Sequence, residues 1–153
     1  MDILAKVMFD LDDCKIVTDK QARRMTILNN SELTSFVENS YFGNVDNKFL
    51  ESVMECFHPD ATLTVQTANT THNGTGEIRR MFTDFFHNYR KIWHGEYEHV
   101  VDVDRQMVAV QFTATRETHD GEHQRALNSN FFEFEDRKIK SITIYMSDQN
   151  PLV

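Results

Sequence analysis

The hydrophobic period of this chain changes partway along, and that change restricts what it can fold into. Up to Tyr89 the apolar residues recur mostly every three or four positions, with one short alternating stretch between; beyond Trp93 they alternate through four successive segments. A spacing near 3.6 marks one face of a helix, and a spacing of two marks one face of a strand. Helices collected in the first half and strands in the second specify an α+β domain, its antiparallel sheet curling over the helices.

In the first half, "NNSELTSFVENSYF" opens a helix that Asn30 or Ser31 can cap, with Leu33, Phe36, Val37 and Tyr41 on one face. "GNVDN" is expected to break it. "KFLESVMECF" places Phe49, Leu50, Val53, Met54 and Phe57 on a second amphipathic helix. "HP" ends that helix, because the residue before a proline is pushed out of the helical region. "DATLTVQT" sets Leu63 and Val65 against Thr62, Thr64 and Gln66 and reads as a strand. "ANTTHNGTG" reads as a loop, after which Thr75 is expected to cap a third helix carrying Ile78, Met81, Phe82, Phe85, Phe86 and Tyr89. The later strands are "HGEYEHVVDV", "QMVAVQFTATRET", "HQRALNSNFFEFE" and "KIKSITIYMS". "DR" separates the first and the last pair, and "HDGE" carries the Asp-Gly of a hairpin turn. Residues 1–30 are less regular and are taken as an N-terminal extension, 31–149 as the domain, and 150–153 as a tail.

Composition removes several classes of function. A net charge of −8 argues against nucleic acid and against an anionic membrane surface, both of which call for a lysine and arginine excess. No run of 18 apolar residues exists to span a bilayer, and no basic segment leads into an apolar one as in a secretion signal. Cys14 and Cys56 form no metal-type pair, so a reducing cytoplasm is expected. The sequons at Asn29, Asn69 and Asn73 are then chance matches. His119 and His123 stand four apart across a turn with no further ligand in view, and no metal is expected.

Near the start, "KVMFDLDDCKIV" ends an apolar run in Asp10-x-Asp12, like the first motif of haloacid-dehalogenase-type phosphatases. That chemistry needs a doubly wound parallel sheet to deliver a Ser/Thr, a Lys and a second acidic pair. The meander after Trp93 cannot supply them, and Cys14 stands where a Thr is usual. The motif is read as a decoy.

The order of elements, with "HPDATLTV" leading into the first strand and Gly74 to Ile78 opening a helix, resembles the SnoaL-like branch of the nuclear-transport-factor-2-like superfamily. Its relatives include ketosteroid isomerases, scytalone dehydratase and polyketide cyclases. The resemblance covers about residues 31–149 and implies a cystatin-like cone, a curved antiparallel or mixed sheet around three helices with a pocket inside. It implies an oxyanion-hole role for Tyr41, and it puts Val65 where the isomerases carry their general base. Valine cannot take a proton, so that form of the isomerase mechanism is excluded. The isomerases' protonated Asp falls on Asn130, where dehydratase-like members carry an Asn. His94 matches a catalytic His of the dehydratase, while Thr115 or Glu117 lies nearest its second one. The resemblance also implies a homodimer, consistent with apolar residues on both parities of the long strands.

Asn130 is the most informative residue. Ala126, Asn128, Asn130, Phe132 and Phe134 share one parity, so an amide faces an apolar interior and must find a partner, either a ligand carbonyl or Tyr41 with a water. His94 fits a general acid/base near neutral pH, or a strand-start histidine packed beside Trp93. Tyr41 fits an oxyanion donor, or a helix tyrosine with its hydroxyl on solvent or backbone. Val65, Phe82, Phe86, Asn128, Phe132 and Met146 are expected to line the pocket. The sequence thus leaves two readings: a cofactor-free lyase or isomerase acting on a small hydrophobic molecule, or a non-catalytic module that binds a ligand or protein.

Overall fold

The computed structural model describes Ala22 and residues 26–153; Asp10, Asp12 and Cys14 lie outside the described residues. Helical structure runs from α1 (Asn30–Ser35) through a π-helical stretch (Phe36–Phe42) into α2 (Gly43–Asp46), followed by α3 (Leu50–Glu55). Then come β1 (Phe57–Val65), a 3₁₀ turn (Gln66–Ala68), β2 (Thr70–Asn73) and α4 (Gly74–Asn88). The strands β3 (Tyr89–Asp102), β4 (Met107–Thr118), β5 (His123–Glu135) and β6 (Lys138–Met146) complete the domain.

The strands form one sheet in the order β2-β1-β6-β5-β4-β3. β1 runs parallel to β6, and every other pair is antiparallel, so the sheet is mixed. The α+β architecture read from the change of period is the observed one. The alternation on β5 holds residue by residue: Ala126, Asn128, Asn130, Phe132 and Phe134 are all buried. They pack toward the helices with Leu33, Val37, Tyr41, Ile78, Met81 and Phe82.

Several local expectations need correction. The first helix is capped by Asn29, whose side chain accepts from the Glu32 N–H while Glu32 returns the bond to the Asn29 N–H. This reciprocal pair out-competes Asn30 and Ser31. "GNVDN" does not break the helix, which continues to Asp46. The π-helical stretch has a wider turn than an α-helix, and it brings Phe42 into the interior beside Tyr41. The second helix is shorter than its apolar pattern: Phe49 is 58% exposed and Phe57 already belongs to β1. The stretch taken as a loop holds β2, and the cap of α4 falls on Asn73, not Thr75. β3 starts at Tyr89, so Trp93 and His94 sit within the strand, on opposite faces. Trp93 is 46% exposed, and its indole lies where a Cβ on Gly95 would be, which that glycine alone permits. Segment 150–152 folds onto the domain: Leu152 is buried, and its carbonyl lies 3.1 Å from His72 Nε2.

Candidate functional site

The inner face of the sheet leaves a hollow beside Ala114, whose side chain is small. Ala114 on β4 pairs with His94 on β3 and with Ala126 on β5, so one rung across the sheet contributes little volume. The rungs on either side contribute Phe112 with Asn128, and Arg116 with Gln124. Pairs lie about 4.8 Å apart across strands and about 6.8 Å apart along them, and His94, Phe112, Ala114, Arg116 and Asn128 border one space. The cavity has about 30 Å³ of free volume, lined by Tyr41, Phe42, Phe82, His94, Arg116, Asn128, Asn130 and Met146 among others. That space holds one or two waters. A larger ligand needs the wall to yield, and Pro151 and Leu152 form the part of it outside the helices and strands, beside Met146 at the end of β6.

His94 is fixed from three sides. Its ring lies 4.6 Å from the Phe42 ring and 5.5 Å from that of Phe112. Its Nδ1 is 2.5 Å from Asp46 Oδ1, and its backbone N–H donates to Asp46 Oδ2 at 3.0 Å. A carboxylate can only accept, so Nδ1 carries a proton and donates it to Asp46, and Nε2 takes no part in that bond. Both side chains are largely withdrawn from water, at 10% and 20% exposure. Asp46 was not foreseen. It stands four residues after Phe42, on the same helical face, and the spacing could have found it had "GNVDN" been read as helix.

Tyr41 stands among Phe42, Phe57, Phe82 and Phe132, with ring centroids 4.9–6.3 Å away. Burial pushes its hydroxyl pKa far above the ordinary tyrosine value, so it stays a proton donor and never serves as a base. Asn128 and Asn130 are 6% and 3% exposed, and the side-chain oxygen of each has no hydrogen-bond partner among the described residues. Arg116, 5% exposed, donates to Asp148 Oδ2 at 2.6 Å and lies over the Tyr89 ring at 5.4 Å, while its Nε also has no partner among the described residues. Arg116 too escaped the sequence reading, although it shares a parity with Phe112 and Ala114, the same polar-among-apolar signal that marked Asn130.

Of the residues expected to form the site, Tyr41, His94, Asn130, Phe82, Asn128 and Met146 line the cavity. Val65 is fully buried in β1, Phe86 packs on Phe82 and Phe85, and Phe132 backs Tyr41; none of the three reaches the cavity wall. Thr115 pairs with the outward Trp93, and Glu117 is held by Arg90 and Lys91, so neither joins His94. His119 Nε2 meets the His87 carbonyl. Among the described residues one group, His58, Glu135 and Asp136, has the spacing of metal ligands. The Lys140 ammonium already lies 3.1 Å from Glu135 and 3.5 Å from His58 there.

Residues 39–142 match the family model of the SnoaL-like domain. No curated protein matches the sequence. Solved structures share the fold at low identity. AusH from Aspergillus nidulans aligns with a TM-score of 0.69 and 13% identity over 80% of this chain and 88% of that one. A proposed polyketide cyclase from Xanthomonas campestris pv. campestris gives 0.69 and 12% over 77% and 92%. A protein of unknown function with a cystatin-like fold from Methylobium petroleophilum PM1 gives 0.66 and 13% over 81% of both chains.

Proposed function

The chain belongs to the SnoaL-like domain family, and from that premise we propose that its cavity binds a small hydrophobic molecule and converts it without a cofactor, as a lyase or isomerase of dehydratase or cyclase type. The observation that carries this reading is the Asp46–His94 pair at the wall of an otherwise apolar cavity. A histidine whose Nδ1–H is fixed on a carboxylate presents Nε2 as a base, and as an imidazolium it is stabilised by the same carboxylate. His94 Nε2 removes a proton from a carbon next to a carbonyl, and the electron pair moves into an enolate. Tyr41, kept protonated by burial, donates to the developing oxyanion. The imidazolium then returns its proton, either to a departing hydroxyl, which leaves as water with a new carbon–carbon double bond, or to a different carbon. Val65 at the isomerases' base position leaves His94 as the base. The same valine is the feature that favours a second reading, a non-catalytic binding module.

The test is conversion of a panel of small hydrophobic ketones and esters, followed by NMR. At least one should turn over. His94→Ala should lower that rate by roughly 10²–10⁴, and Asp46→Asn should also lower it, with affinity for an unreactive analogue kept within severalfold. Binding of the panel with no conversion over days would leave only the binding module.

A further inference from the structure

A second concave space lies outside the interior cavity, at the Tyr89 end of β3. This cleft holds about 620 Å³ between the end of α2, with the turn after it, and β3, β4 and β5. Asp46, Lys48, Arg90, Lys91, Trp93 and Glu117 stand on its walls. Its size is that of an ordinary small-molecule site, whereas the interior cavity holds one or two waters.

Strand register sets the groups in order. Lys91 pairs with Glu117 and Trp93 with Thr115, and His123 lies across from Glu117 on β5. Residues two apart on a strand face the same way, so Lys91 and Trp93 project side by side. The indole is not free to swing, since its benzene ring occupies the place of a Cβ at Gly95. It is held along the strand and still 46% exposed. A ring fixed in this way offers stacking area at little further entropy cost.

Charge defines what else the cleft takes. Lys48, Arg90, Lys91 and Arg116 face it, against Asp46 and Glu117. Asp148 matches Arg116, and Arg90 pairs with Glu117. Lys91 stands 3.8 Å from the same Glu117, with 72% of its side chain exposed. Lys48 donates to the Tyr89 carbonyl and has no carboxylate partner among the described residues. With Asp148 included and the histidines neutral, four positive charges meet three negative ones, on a chain whose net charge is −8. A concave surface focuses such an excess. Each ammonium has three donors, so both lysines keep N–H groups for an oxygen ligand.

We propose that this cleft is a second ligand site, separate from the interior cavity, and that it takes a planar aromatic carboxylate. The ring stacks on Trp93, and the carboxylate, carrying the one negative charge that the cleft can balance, lies on Lys91 and Lys48.

The probes are benzoate, its neutral counterpart benzamide, and acetate, which has the charge without the ring. Each is titrated at pH 7 and low salt into the full chain labelled with ¹⁵N. Trp93 is the only tryptophan, so one indole N–H signal reports on the ring directly. Benzoate should bind about fivefold or more tightly than either of the others, with shifts centred on Trp93 and Lys91, and high salt should remove its advantage over benzamide. Lys91→Gln should remove that same advantage, and Trp93→Leu the advantage over acetate. Should the tryptophan variant fail to fold, the three probes on the unaltered chain still decide. Benzamide binding as tightly as benzoate overturns the proposal, as does acetate doing so, or benzoate shifts centred on Tyr41 and Asn130 of the interior cavity. Neither Lys91 nor Trp93 borders that cavity, so a negative result leaves the reading of the cavity where it stands.

Discussion

Replacing Asn130 by leucine separates a ligand-binding amide from a structural one, because the two roles predict opposite signs. Asn130 sits between Val110 on β4 and Ile144 on β6, two residues from Phe132, in a layer that is otherwise apolar. Its side-chain oxygen is buried and has no partner among the described residues. Removing that group recovers a desolvation cost of about 1–3 kcal/mol. Leucine also adds apolar surface, while its branched end strains a close-packed site by about 1 kcal/mol or more. The neighbouring free volume of about 30 Å³ takes part of that branch. The net expectation is a gain of about 1–2 kcal/mol. In a domain of this length each kcal/mol moves Tm by about 2–4 °C, so Tm should rise by roughly 2–8 °C. The assay is thermal unfolding by circular dichroism, paired with urea unfolding at an unchanged m-value. Ligand binding should fall in the same variant. A loss of about 1 kcal/mol or more would refute the reasoning, since it would mean that the amide holds the fold together. Asn128→Leu should behave alike, and the two effects should not simply add, because both residues border one cavity.

Other expectations follow from single features. Burial pushes the Cys56 thiol up to about 11, so at pH 8 its thiolate population is roughly a hundredfold below that of a free cysteine; in a Cys14→Ser background, labelling by a thiol reagent should await unfolding. Asn29→Ala should cost about 1 kcal/mol by removing the cap, read as a Tm drop of about 2–4 °C. The Glu32 carboxyl is held below its ordinary value by the Asn29 N–H and then by Arg137. Its contribution is therefore complete at neutral pH and lost as acid passes through the lowered value, and Glu32→Gln should flatten that part of the Tm–pH curve. The outer face of the sheet exposes Val100, Leu127, Phe131 and Tyr145, with the last two rings 5.9 Å apart. A homodimer on this face predicts a sedimentation mass near twice 18.0 kDa, shifted to the single-chain value by Phe131→Arg; a wild-type protein at the single-chain mass at micromolar concentration would refute it.

The sequence by itself determined what periodicity can carry. Alternation along β5 names its buried parity, because a pleated strand sends successive side chains to opposite faces. For the same reason Asn128 and Asn130 were legible as polar residues on an apolar face. The face shared by Leu33, Val37 and Tyr41 was legible too, since four-residue spacing survives the π-helical stretch. What only the tertiary structure decided is where separate elements meet. Asp46 reaches His94 across 48 positions of chain, and nothing local to "GNVDN" announces a partner on a distant strand. The cavity brings Phe112 and Ala114 of β4 beside Asn128 and Asn130 of β5, a register fixed by the hairpin turn and the buried faces together. Segment 150–152, without any period of its own, is placed by the burial of Leu152 and its contact with His72. Local pattern fixes which way a side chain faces; only the folded sheet fixes which other side chain it finds there.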